Sequence, residues 1–185
     1  MRKFILYSRT GLTSGFNTDL REAGRLDIVY QCALNSLFTS HAIRGDTEFH
    51  AFLYGRPKPP IHLKVDGGSL FDVRTDEASW RELLNRILMG GSNEGVTMSS
   101  EGIERYAADL DETYVLSEKG EPIDGVRFDS PSFFLGDNVG LPKKFEGLLL
   151  RKGAKLLSLG KKRYLASQCI AILNYRLDGQ ISEQH

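Results

Sequence analysis

Residues 133–140 read Phe-Phe-Leu-Gly-Asp-Asn-Val-Gly, and residues 154–162 read Ala-Lys-Leu-Leu-Ser-Leu-Gly-Lys-Lys. Each is a short apolar run, of strand length, that breaks into a glycine turn. The second turn leads through a basic run into a long apolar helix from about Arg163 to Leu177. Strands followed by helices give an α/β fold, and in such folds ligands bind beyond the carboxyl ends of the strands. Glycine at that point permits positive φ and lets another molecule approach the backbone closely. The plainer reading is a tight turn and nothing more. FLGDNVG does not match GxGxxG, and no P-loop pattern occurs, so the common nucleotide fingerprints are excluded. Two facing turns that expose amides and carbonyls instead suit a flat heterocycle such as adenine.

Outward from these turns, KFILYS (residues 3–8) is a continuous apolar run suited to a strand covered on both faces. Residues 9–24 are polar and hold three glycines, which predicts a long irregular loop of the kind that often carries function. A helix is expected from about Arg25 to Phe38, with Asp27 in its first turn and apolar residues on two faces. Residues 48–55 and 61–65 read as strands, the second turning at Asp66-Gly67-Gly68, and residues 80–89 have helical period. Residues 90–131 are the least regular, with strand candidates VTMS and TYVLS, and the tail from Asp178 reads as frayed. No internal repeat interrupts the chain, so a single domain over residues 1–185 with a largely parallel sheet is expected.

Hydrophobic residues make up 41% and charged residues 26% of the 185, ordinary values for a globular protein. No apolar run approaches the roughly 20 residues needed to cross a bilayer, and the N-terminus lacks a secretory pattern, so a cytoplasmic location is expected. Cys32 and Cys169 read as reduced thiols, and His41, His50, His62 and His185 lack metal-ligand spacing, so no metal is expected. The net charge of zero hides a segregation. Residues 1–64 hold nine Lys/Arg against five Asp/Glu, residues 65–130 six against fifteen, and residues 131–185 nine against four. Two basic ends brought together could form a phosphate-binding face; scattered solvated charge is the alternative.

SRT near the start, GRLDIV at the first helix, FFLGDNVG, and LSLG followed by LASQC occur in this order along residues 1–177. Together they resemble the TrmY group, tRNA pseudouridine N1-methyltransferases of the SPOUT superfamily. The resemblance implies a trefoil-knotted part at about residues 130–177, S-adenosylmethionine as cofactor, a tRNA T-loop as substrate and a homodimer. It implies that Leu135, Gly136 and Gly140 form one cofactor loop and Ser158, Leu159 and Gly160 a second, with Leu165 and Cys169 lining the site. Arg9 and Arg25 match positions suited to RNA phosphates, and Lys161 and Lys162 lie where phosphate could meet them. Where archaeal members read LASHC, this chain has Gln168, which fits a bacterial branch and leaves open another RNA site or a non-catalytic RNA-binding role.

Methyl transfer from a sulfonium is an in-line displacement that demands positioning and a competent nucleophile. The pseudouridine ring nitrogen must also lose a proton, which a carboxylate or a polarising donor assists. Asp66, after a strand and before two glycines, is the first candidate for that task, and Arg9, in the long polar loop, is a second catalytic candidate; an acidic turn residue is the alternative for Asp66. Cys169 needs no covalent role.

Overall fold

β1 (Arg2–Ser8) lies at the centre of a seven-stranded sheet, in a computed structural model that describes residues 1–182. It pairs in parallel with β2 (Thr47–Leu53) on one side and β6 (Ser132–Gly136) on the other. β5 (Thr113–Pro122) follows β6 and β7 (Lys155–Ser158) closes that edge, both parallel. Beyond β2, β3 (Ile61–Asp66) and β4 (Val96–Ser99) run antiparallel, giving the order β4-β3-β2-β1-β6-β5-β7. The sheet is therefore mostly parallel, and β5 lies between the two strands that end in the glycine turns.

The continuous apolar character of β1 follows from burial on both faces. Phe4 and Leu6 join Phe133, Leu135, Phe49 and Leu53 under α1 (Leu26–Leu37) and α5 (Ala166–Ser182). Ile5 joins Phe52, Phe134 and Val115 on the other face, under Ile103 of α3 (Ile103–Tyr106) and Phe145 and Leu149 of α4 (Lys143–Arg151). α2 (Glu77–Leu88) starts at Asp76, whose carboxylate accepts from the Ser79 amide at 2.9 Å, and buries Trp80, Leu83, Leu84, Ile87 and Leu88 in the first of these cores. A fully buried Leu or Phe contributes about 1.5–3 kcal/mol, so these two layers dominate stability.

The tail expected to fray is instead bolted down as far as Asp178. The buried Arg2 guanidinium donates to Asn174 Oδ1 and Asp178 Oδ1 of α5, and to Asp46 Oδ2, each at 2.9 Å. Arg44 adds two hydrogen bonds to Asp178, both at 2.7 Å. Burial raises the Asp178 pKa, but its Arg44 and Arg2 hydrogen bonds outweigh that and hold it below the usual value. α5 continues to Ser182; the last part of the expected fray, residues 183–185, lies outside the described residues. α4 was not foreseen in the sequence, and the irregular stretch 90–131 resolves into β4, α3, β5 and two short 3-10 turns.

Candidate functional site

Beyond the carboxyl ends of β6, β5 and β7 lies a cavity of about 680 Å³. That is within the ~300–1,000 Å³ of ordinary small-molecule sites. The turn after β6 forms one wall with Leu135, Gly136, Asp137 and Gly140. A Cβ on Gly136 would sit 2.1 Å from the Gly140 carbonyl carbon and 2.3 Å from Leu141 N, so the turn closes only on glycine. The Asp137 carboxylate accepts from Val139 N at 2.9 Å and from Arg9 N at 2.8 Å, and Asp137 N donates to Tyr7 O at 3.0 Å. Gly140 has φ +88°, open space around it and an amide bonded to Asp137 O at 3.0 Å.

The turn after β7 supplies Leu159 and Gly160. Ser158 does not itself line the cavity; its Oγ accepts from Gly160 N at 3.1 Å and shapes the turn, where Gly160 has φ +110°. The third wall is Tyr164, Leu165, Ala166 and Cys169. Leu165 caps α5, and its amide donates to Gln168 Oε1 at 3.0 Å. A glutamine three residues into a helix reaching back to the capping residue is half of a capping box. Gln168 thus has a local structural task at the cavity's edge.

Residues 1–181 match a family model described as "Putative SAM-dependent RNA methyltransferase". The chain belongs to this family. It is 36% identical over 190 residues to the tRNA (pseudouridine(54)-N(1))-methyltransferase of Methanocella arvoryzae, covering 96% of this chain and 99% of that protein. It is 34% identical over 200 residues to the protein of the same name from Thermococcus kodakarensis, covering 97% and 100%. Both relatives are archaeal, so the expected bacterial placement finds no support in them. Archaeoglobus fulgidus Nep1, solved with S-adenosylhomocysteine, shares the fold with a TM-score of 0.62 at 15% identity, over 86% of this chain and 72% of that one.

The cavity suits the cofactor of this methyltransferase family. A Gly136 that admits no Cβ, and glycines at positive φ on both turns, leave main-chain groups lining two walls while Leu159 and Leu165 supply apolar surface. Of the residues expected to hold the cofactor, Leu135, Gly136, Gly140, Leu159, Gly160, Leu165 and Cys169 line one space, and Ser158 supports it. Burial pushes the Cys169 thiol up to about 11, so at neutral pH it is a protonated wall atom. Of the expected RNA contacts, Arg25 and Lys162 reach the cavity. Arg25 sits at φ +66° and donates twice to the Asp27 carboxylate, each at 3.0 Å, which fixes its guanidinium. Arg9 and Lys161 are exposed on the rim without lining the cavity.

Asp66 is not part of this site. It pairs with Glu48 near the beginning of β2, at the end of the sheet opposite the cavity. Its carboxylate accepts from Gly68 N at 2.9 Å and Ser69 Oγ at 3.1 Å, which closes the turn after β3. Conversely, Ser117 and Glu118 line the cavity without having been foreseen. They project from a bulge of β5 in which both Leu116 and Glu121 pair with Leu157. Gly120 marks the bulge, since a Cβ there would lie 2.5 Å from the β7 backbone. Glu118 pairs with Arg163 across the cavity mouth, and Lys143 and Glu146 of α4 also line the cavity.

Proposed function

We propose that the protein methylates nitrogen-1 of a pseudouridine in tRNA, at the T-loop position 54 carried in its relatives' names. The observation that carries this reading is the glycine-built cavity, lined by main chain and opening at Arg25 and Lys162. S-adenosylmethionine, when bound, supplies an electrophilic methyl group on a sulfonium. Leu135, Gly136, Gly140, Leu159, Gly160, Leu165 and Cys169 would hold it, with Ser158 setting the second turn. Arg25, Lys161 and Lys162 meet phosphates, and Arg9 polarises the target base. The Arg25–Asp27 pair lowers the entropy lost on docking, because the guanidinium is already fixed.

The homodimer and the knot belong to the same proposal, as do the single-domain organisation and the cytoplasmic location. Leu165, which caps α5, and Tyr175 within it are 63% and 78% exposed, beside half-buried Ile28 and Leu34 of α1. This apolar strip supports a second copy seated on α1 and α5. Membership of the methyltransferase family, with residues 135–141 and most of 159–169 meeting in one cavity, supports a threaded chain. Light scattering should give twice the chain mass, falling to one chain mass in Tyr175→Asp; a monomeric wild-type protein ends the dimer proposal. A crystal structure in which residues 130–177 can be pulled straight ends the knot.

The activity is tested with purified protein, methyl-labelled S-adenosylmethionine and a tRNA transcript carrying pseudouridine in its T-loop. Nucleoside mass spectrometry should find N1-methylpseudouridine. Label in a different nucleoside would move the target, and absence of cofactor binding by calorimetry would end the methyltransferase reading altogether.

A further inference from the structure

The connection from β2 to β3 carries two cations that the cavity does not explain. It reads Tyr54-Gly55-Arg56-Pro57-Lys58-Pro59-Pro60, and Arg56 and Lys58 are exposed. Main-chain contacts lock this segment against the loop after β1. Gly55 N donates to Gly11 O at 2.9 Å, Thr13 N to Arg56 O at 2.9 Å, and Lys58 N to Thr13 Oγ1 at 2.7 Å. Thr13 Oγ1 in turn donates to Gly55 O at 3.0 Å. A Cβ on Gly55 would lie 2.3 Å from Thr10 O, so the two loops are in direct backbone contact. The same Thr10 donates its hydroxyl to Gly24 O at 2.9 Å, next to Arg25, and neighbouring Arg9 is held by Asp137 of the cavity wall. One rigid ledge therefore runs from the cavity through Arg9 to Arg56 and Lys58.

Charge pairing separates this ledge from the other end of the same strands. There, Arg2 pairs with Asp46 and Asp178, Lys3 and Lys64 with Glu48, and Arg44 with Asp178. On the ledge, the side chains of Arg9, Arg56 and Lys58 form no ion pair among the described residues. Cations left without acids on a backbone that holds them rigid cost little to complex with an anion, and repeated cations match a repeating polyanion.

We propose that Arg56 and Lys58 are phosphate contacts of the RNA, a second patch of the site that extends the ledge from Arg9 away from the cavity. The inference rests on the RNA-methyltransferase reading above. The loop's structural work is done by the main-chain atoms of Arg56 and Lys58, so changing the side chains leaves the fold intact.

The test measures binding of the pseudouridine-bearing tRNA transcript across a salt series. The variants are Arg56→Gln/Lys58→Gln and a control, Arg151→Gln/Lys152→Gln. The control removes the same charge from exposed positions at the end of α4, which lies at the opposite end of the sheet. Removing two phosphate contacts should lower the slope of log K against log salt by roughly 1.4–1.8 and weaken binding about tenfold near physiological salt. The control should keep the wild-type slope, and calorimetry should show unchanged S-adenosylmethionine binding in both. An unchanged slope in the first variant, or an equal fall in the control, overturns this patch alone. A wild-type protein that does not bind the transcript overturns it together with the reading on which it rests.

Discussion

Gly136→Ala tests the cavity where it has least slack. The added Cβ would sit 2.1 Å from the Gly140 carbonyl carbon, 2.3 Å from Leu141 N and 2.4 Å from Gly140 Cα. All three are backbone atoms, so no side-chain rotation can relieve the overlap. Ordinary carbon contacts need about 3.5 Å or more, and the 136–141 turn must therefore open by roughly an ångström. A main-chain hydrogen bond to the cofactor does not survive such a displacement. Losing one or two, at about 0.5–1.5 kcal/mol each, weakens binding by roughly 2- to 160-fold. Gly153→Ala is the comparison: its φ of +96° is unfavourable for alanine, no atom lies near its Cβ, and it stands just before β7, away from the cavity. It should lower stability by about 1–2 kcal/mol and leave affinity alone. Calorimetric titration with S-adenosylmethionine, alongside thermal melting, reads both quantities. Wild-type affinity in Gly136→Ala would refute the claim that this turn's backbone grips the cofactor.

Asp178→Asn removes the negative charge shared by Arg2 and Arg44 and one of its two acceptor oxygens, and should cost about 1–3 kcal/mol, seen as a melting point lower by roughly 2–10 °C. Because the folded-state pKa of Asp178 is depressed, that difference is present at neutral pH and disappears as pH falls through the carboxylate range. His62, buried and hydrogen-bonded at 2.9 Å to His50, is held down to about 4 from 6.5 by burial. The unfolded chain then binds the extra proton first, so unfolding free energy should fall by about 2–3 kcal/mol as pH drops from 6.5 to 4. Urea titrations should show this slope in wild type and a flatter one in His62→Gln. Asp66→Asn should leave methyl transfer to tRNA within about twofold of wild type, since only a turn far from the cavity changes; a loss near a hundredfold would restore Asp66 to the chemistry.

Strong periodicity made most of the fold readable. The apolar runs at 3–8 and 133–135 mark β1 and β6 because both faces of those strands are buried, and Trp80, Leu83, Leu84 and Ile87 give α2 away by spacing. α4 escaped because LPKKFEGLLLRKG buries only Phe145 and Leu149, with a glycine between them. β5 was legible only in part because its bulge at residues 117–120 breaks the alternation that identifies a strand. The cavity's walls were readable as glycines, while Glu118 was not, since its place depends on how β5 meets β7. The position of Asp66 was in principle within reach. Only seven residues separate Leu53 from Ile61, too few for the dozen or so of a parallel crossover, so β3 had to return antiparallel and carry Asp66 away from the site.

The clasp of Arg2 on Asn174 and Asp178 bears on how the molecule is born. Arg2 waits for partners that lie 172 and 176 residues further along the chain. Until then the guanidinium destined for burial has Asp46 but not Asp178 to neutralise it, and the central strand lacks the cover of α5. A nascent chain arrested before residue 170 should accordingly stay sensitive to protease, and emergence of the whole of α5 should bring resistance in a single step. Folding of the sheet's central strand is thereby tied to the synthesis of α5.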